Sequence, residues 1–176
     1  MIRDYIEFQD RSTPLAYLIT IRSYGTWLRG DERGSMDRRE YNQYGDPAIA
    51  ASPLKESRDR NLMNALSFVF EHASVRQNIE SAIRQVCEFR NYALYAINVR
   101  TNHAHIVVSA SSQPELMMNA FKAYATRKLR SSKLVGEDAK VWARHGSTRY
   151  LRPEQHIETA VEYVVEGQGG ELPTFD

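Results

Sequence analysis

Apolar residues recur along the chain with two different periods, and the changes of period predict its elements. Leu15 to Arg22 (Leu-Ala-Tyr-Leu-Ile-Thr-Ile-Arg) is rich in β-branched and aromatic residues and predicts a first, central strand. Residues 54–70 carry Leu54, Leu62, Met63, Ala65, Leu66, Phe68 and Phe70, a pattern for a short helix followed by an extended piece. Ser74 and Gln77 have capping-box spacing, after which Val75, Ile79, Ala82, Ile83 and Val86 share one helical face to about Arg90, where Asn91 ends the helix. Tyr92 to Arg100 alternates, with Tyr95, Ile97 and Val99 on one side. A tight turn at Thr101-Asn102, with Asn102 suited to a left-handed position, then returns the chain through His103 to Ser109.

A second capping box, Ser112 to Glu115 with Pro114 at the first turn, opens a helix to about Arg130 with Met117, Ala120, Phe121 and Tyr124 inward. Val141 to Leu151 has strand-like aromatics interrupted by Gly146. Pro153-Glu154 opens a last helix, with Ile157, Ala160, Val161, Val164 and Val165 as its apolar face and Gly167, Gly169 and Gly170 at its end. Two segments lack a period. Residues 1–13 read as a polar lead-in arm, and residues 23–53, with Gly25, Gly30 and Gly34 among charges and aromatics, as a long functional or partly disordered loop. The order predicts one α+β domain over residues 1–176: a split β-α-β sheet, mainly antiparallel, with helices on one face and the histidine strand in its middle.

Composition changes this picture little. The 176 residues are 42% apolar and 26% charged, which suits one ordinary core, and no apolar run is long enough for a membrane span. An N-terminus without an apolar signal core and a single cysteine, Cys87, predict a cytoplasmic protein with no internal disulfide. Charge matters by position, because the net value is only +1. Lys122, Arg127, Lys128, Arg130 and Lys133 form one stretch without acids, and Arg144, His145, Arg149 and Arg152 another. Such patches can track phosphates or serve as solvated surface.

The chemistry concentrates at Thr101-Asn-His-Ala-His-Ile-Val-Val-Ser109. At strand period His103 and His105 point to one face, with Cα atoms roughly 6 to 7 Å apart, close enough to share a divalent ion. Spacing alone fits equally a strand pair satisfied by water. A metal pair needs a third ligand and a group to act with it, and the exposed side of the last helix offers Tyr163, Glu166 and, just beyond, Gln168. Tyr163 lies well off its helix's apolar stripe, whereas Tyr124 sits in the middle of its own. A phenol beside an ion that polarises a phosphate is a competent nucleophile; the same residue is equally a boundary aromatic with a wet hydroxyl.

His103-Ala-His105 resembles the His-hydrophobic-His motif of the HUH endonucleases. The chain from residue 14 to 170 resembles the single-tyrosine transposases of the IS200-like class, which include the REP-associated tyrosine transposases. The segments Tyr24-Gly-Thr-Trp-Leu-Arg-Gly-Asp31, Asn98 to Val108, Val141-Trp-Ala-Arg-His-Gly-Ser147 and Tyr163-Val-Val-Glu-Gly-Gln168 carry the likeness. It implies a ferredoxin-like palm with a C-terminal tyrosine-bearing helix, holding Mg²⁺ or Mn²⁺ through His103 and His105. Tyr163, 58 residues beyond His105, would attack a single-stranded DNA phosphate to give a 5′-phosphotyrosine and a 3′-hydroxyl; Tyr124 is the reserve candidate. The family often has Gln or Asn four residues after the tyrosine. Here that position is Gly167, which leaves Gln168, slightly ahead of Glu166, as third ligand.

The same resemblance implies single-stranded DNA with hairpin elements as partner, a monomer or a homodimer, and association with the nucleoid when DNA is bound. Lys122, Arg127, Lys128 and Arg130 would neutralise phosphates, Tyr24 and Trp27 would stack on unpaired bases, and Arg144 and Arg149 would position the scissile phosphate. Trp142 is either a further stacking residue or a core anchor. Two rival readings remain at this point: a metal-dependent phosphoesterase using water, and a non-catalytic ferredoxin-like nucleic-acid-binding module.

Overall fold

The computed structural model describes residues 14–32, 50–174 and 176; the lead-in arm and most of the long loop expected from the sequence lie outside the described residues. Four strands, β1 (Ala16–Ser23), β2 (Ala93–Val99), β3 (His103–Ser109) and β4 (Trp142–Leu151), form one antiparallel sheet in the order β2-β3-β1-β4. The helices are α1 (Pro53–Asn61), α2 (Ala73–Phe89), α3 (Pro114–Ser131) and α4 (Glu154–Val165). This is the split β-α-β arrangement expected. The histidine strand is one of the two central strands, and β4 is a full edge strand.

Two apolar layers hold the sheet. Ile19, Ile21, Ala104 and Ile106 point to one face, where Ile79, Ile83 and Val86 of α2 and Met117, Phe121 and Leu129 of α3 cover them. Leu18, Ala96, Val107 and Leu151 point to the other face and receive only Ala160 and Val164 of α4 as fully buried helix residues. Thus α2 and α3 share one face, and the tyrosine helix lies on the histidine face. Cys87 is buried in the first layer, where burial pushes its thiol up to about 11.

Local chemistry departs from the sequence reading at four points. Neither capping box forms: α2 starts after His72 and α3 after Gln113, both without a side-chain cap. Ser74 N–H instead donates to Asp176 Oδ1 at 3.0 Å, and Glu115 accepts from Thr148 Oγ1 at 3.2 Å. Tyr95 breaks the alternation of β2, because a register shift between Leu94 and Ala96 leaves it bulged and 50% exposed. The left-handed position belongs to Asn91 (φ 57), at the end of α2, and not to Asn102, whose carboxamide is used at the site described next.

Candidate active site

Cross-strand register builds a polar row on the α4 face of the sheet. His105 pairs with Asn98 on one side and Thr20 on the other, Thr20 pairs with Ser147, and one row away His103 pairs with Arg22. Directly paired residues share a face, so these side chains gather where the apolar layer under α4 gives out. The imidazoles of His103 and His105 have ring centroids 4.5 Å apart. Tyr163, on α4, places its ring centroid 5.3 Å from that of His105 while staying 42% exposed. Residues far apart in the chain therefore meet within one subunit.

Each group is oriented by a neighbour. His103 Nδ1 donates to Asn102 Oδ1 at 2.7 Å, a tautomer that turns the lone pair of Nε2 toward Gln168 Oε1 at 3.4 Å. Gln168 Nε2 donates to the Tyr163 carbonyl at 2.9 Å, which fixes its amide with the oxygen facing the imidazole. Thr20 Oγ1 stands 2.8 Å from His105 Nδ1. Asn98 Nδ2 donates to the Val164 carbonyl at 2.9 Å and so ties the end of the tyrosine helix to the histidine strands. His105 is 6% exposed; burial first, then His103 and Arg22, push its pKa down to about 3, which keeps it neutral and able to ligate.

Two acceptor lone pairs facing each other at 3.4 Å are what a small cation between them would satisfy. Donors sharing an ion at bonds of about 2.1 Å stand roughly 3 to 3.5 Å apart. Among the described residues no group of three His, Cys, Asp or Glu comes together, and the Gln168 carboxamide is the further polar group that reaches His103. Glu166 lines a groove on the outer side of α4 with Tyr95, Glu158 and Glu162. Gly167 has its own reason: a Cβ there would fall 2.8 Å from the Tyr163 carbonyl and 3.0 Å from its ring. The turn after the tyrosine helix thus excludes a side chain at that position, and the carboxamide stands at the next residue.

The predicted DNA contacts separate into two groups. Tyr24, Trp27 and Arg144 border one cleft beside the histidines, with the Trp27 ring 5.9 Å from that of His103. Arg149 lies on the same sheet face, paired with Leu18. Lys122, Arg127, Lys128 and Arg130 sit on α3, behind the sheet. Lys122 is 8% exposed and its Nζ donates to the carbonyls of Ala143, Arg144 and His145 at the start of β4. Lys128 donates to Ser81 on α2 at 2.8 Å, Arg127 stacks 4.8 Å over Tyr124, and Arg130 faces Glu137. Tyr124 is remote from the imidazoles. Trp142 is an anchor, its Nε1 donating to Thr126 at 2.9 Å and its ring against Phe70. Sequence reasoning missed Thr20, Arg22, Asn98 and Asn102; only Asn102, beside the first histidine, carried a local signal.

The family model described as Transposase IS200 like matches residues 64–165, more than half of the chain. A solved structure of "the REP associates tyrosine transposase bound to a REP hairpin" aligns at 13% identity and a TM-score of 0.47, over 87% of this chain. The alignment spans 66% of that longer chain. No curated protein matches significantly. No helix among the described residues is long and apolar enough to cross a membrane. The matched segment runs from ahead of α2 to the last residue of α4 and takes in both imidazoles and the phenol, and on that ground the chain belongs to the IS200-like transposases.

Proposed function

We propose that the protein is a metal-dependent, single-stranded DNA endonuclease and strand transferase that uses Tyr163 as its nucleophile. The observation that carries this reading is the approach of the Tyr163 ring to His105, which itself meets His103 edge-on, within one chain. The phenolic oxygen attacks a phosphodiester phosphorus, the bond to the 3′-oxygen breaks, and a 5′-phosphotyrosine remains. The phenol loses a proton and the departing 3′-oxygen gains one, so the reverse attack by that hydroxyl rejoins strands without another energy source. His103, His105 and Gln168 would hold a divalent ion. That ion would polarise the phosphate and offset the charge on the attacking phenolate. A set of two imidazoles and one carboxamide suits Mn²⁺ better than Mg²⁺, which prefers oxygen donors.

The protein's own contribution is placement. Asn98 and the Gln168 bond to the Tyr163 carbonyl hold the helix end, Thr20 and Asn102 set the imidazole tautomers, and Arg22 adds positive charge where the phosphate must sit. As in the resemblance read from the sequence, the substrate is a single strand carrying hairpin elements; the resemblance left open whose histidines the tyrosine works with, and the 5.3 Å approach within one chain supports those of its own.

Covalent trapping tests the proposal. End-labelled single-stranded DNA incubated with the protein and Mn²⁺ should give a denaturant-resistant protein-DNA adduct, abolished by Tyr163→Phe, His105→Ala or EDTA. Cleavage without an adduct that survives Tyr163→Phe would mean that water attacks. Binding without cleavage, indifferent to EDTA, would leave only a binding module.

A further inference from the structure

The outer flank of α4 carries the strongest unassigned feature, a groove of about 610 Å³ between that helix and the β2 edge of the sheet. Its apolar floor is Ile157, Val161 and Val165, one residue per turn, with Tyr95 of β2 facing them. Val165 is 61% exposed and Tyr95 50% exposed, so this apolar surface is open to solvent. Along the groove run Glu154, Glu158, Glu162 and Glu166, again one per turn. All four are exposed, and among the described residues none of them forms an ion pair.

The acidic stripe works against the helix that bears it. Carboxylates four residues apart repel across one turn, and Glu162 and Glu166 stand at the C-terminal end, where the helix dipole disfavours negative charge. The last turn holds no basic residue to offset them. The groove also stands clear of the imidazoles: at about 100° per residue, the buried line of Ala160 and Val164 has Tyr163 on one flank and Val161 on the other. Both flanks can therefore be filled at once. Glutamates repel phosphate, so a nucleic acid is not the occupant of the outer one.

Charge and backbone together choose what is. Complementarity places a lysine or arginine beside each carboxylate, and the Tyr95 ring offers a face to the same cations. An added strand is disfavoured, because the bulge at Tyr95 interrupts the edge ladder of β2 at this point. A helix has no such requirement, and its side chains at i and i+4 match the spacing on α4. The stripe from Glu154 to Glu166 spans roughly 18 Å, about three helical turns. The chain's own basic helix is a poor fit: α3 engages Lys128 with Ser81 and faces Arg130 toward Glu137. It also lies on the opposite face of the sheet from α4, so two copies could not exchange this contact mutually in a closed pair.

We propose that this groove docks a basic amphipathic helix of another protein, its apolar residues on Val161, Val165 and Tyr95 and its lysines or arginines against Glu158 and Glu162. The outer flank of the tyrosine helix is thereby a protein-docking surface, separate from the face that meets the imidazoles.

The test uses the full chain without DNA and a fluorescein-labelled synthetic helix of about 18 residues, leucine at successive i, i+4 positions and lysine on both sides. Fluorescence polarisation should show saturable, micromolar binding that weakens with salt. Glu158→Lys/Glu162→Lys, at two exposed positions, should lose at least about tenfold in affinity while keeping the wild-type urea midpoint. Val165→Ser should weaken binding as well, and a peptide of equal charge with serine for leucine should bind at least about tenfold more weakly. Equal binding of the serine peptide would reduce the groove to plain charge attraction and overturn the proposal. So would wild-type affinity in the charge-reversed variant, or a Kd weaker than about 1 mM for the leucine peptide. A proline-interrupted peptide that binds as tightly would mean an extended occupant instead of a helix. Self-association in sedimentation velocity that the charge reversal abolishes would assign the groove to a second copy and likewise overturn the proposal. None of these readouts depends on cleavage, so failure here leaves the chemistry of Tyr163 untouched.

Discussion

Acidification in EDTA should destabilise this fold through His105 by a calculable amount. The folded protein keeps that imidazole neutral down to about pH 3, through burial first and the neighbouring His103 and Arg22 second. In the unfolded chain the same group titrates near about 6.5. Between those values only the unfolded state takes up the proton, so the contribution is complete above about pH 6.5 and is lost progressively as pH falls toward the folded value. At about pH 5 the unfolded imidazole is roughly thirtyfold more charged than neutral, which corresponds to about 2 kcal/mol. Because the folded form is still neutral there, the magnitude is set by the unfolded chain. Carboxylates held low by ion pairs, such as Asp59 beside Arg29, lose their contribution only in more acid solution. Urea unfolding of wild type and His105→Asn at several pH values between about 7.5 and 5 is the assay, since asparagine offers an amide near the place of Nδ1 for Thr20. The wild type should lose about 2 kcal/mol more than the variant over that range. Parallel pH profiles would refute the claim that His105 is buried neutral.

Three further outcomes follow from the geometry. Thr20→Val removes the hydroxyl 2.8 Å from His105 Nδ1 and should weaken Mn²⁺ binding, read by calorimetric titration, by about 10- to 100-fold, with Thr20→Ser restoring most of it. Gln168→Ala should weaken the same titration, whereas Glu166→Gln, at a residue lining the outer groove of α4, should leave it unchanged; the opposite pattern would reassign the third donor. Gly167→Ala brings a methyl to 2.8 Å from the Tyr163 carbonyl, which also holds Gln168 Nε2, and should slow adduct formation at least about tenfold and weaken Mn²⁺ binding with it, because small displacements of a nucleophile are costly; wild-type values of both would refute the close fit at this turn.

Local pattern determined much of this protein. The periods of two and of 3.6 residues located the strands and three of the helices, because a face must be apolar to be buried, and that requirement is written residue by residue. It also marked His103 and His105 as a pair sharing one side, and Tyr163 as displaced from its helix's stripe. Capping was read wrongly for the same reason that pattern works elsewhere: a helix terminus is satisfied by whichever group arrives, and here Asp176 reached Ser74 from the far end of the chain.

What only the tertiary structure decided is which distant residues stand beside the imidazoles. Strand register chose Thr20, Arg22 and Asn98, none of which carries a signal in its own neighbourhood, since register is a property of two strands and not of one. Folding also sorted like charges into unlike roles. Lys122 is buried against carbonyls, that of Arg144 among them, while the Arg144 side chain stays exposed at the cleft. Charge along a sequence says only that a cation exists; whether it meets a phosphate depends on the surface left after the sheet and helices have packed.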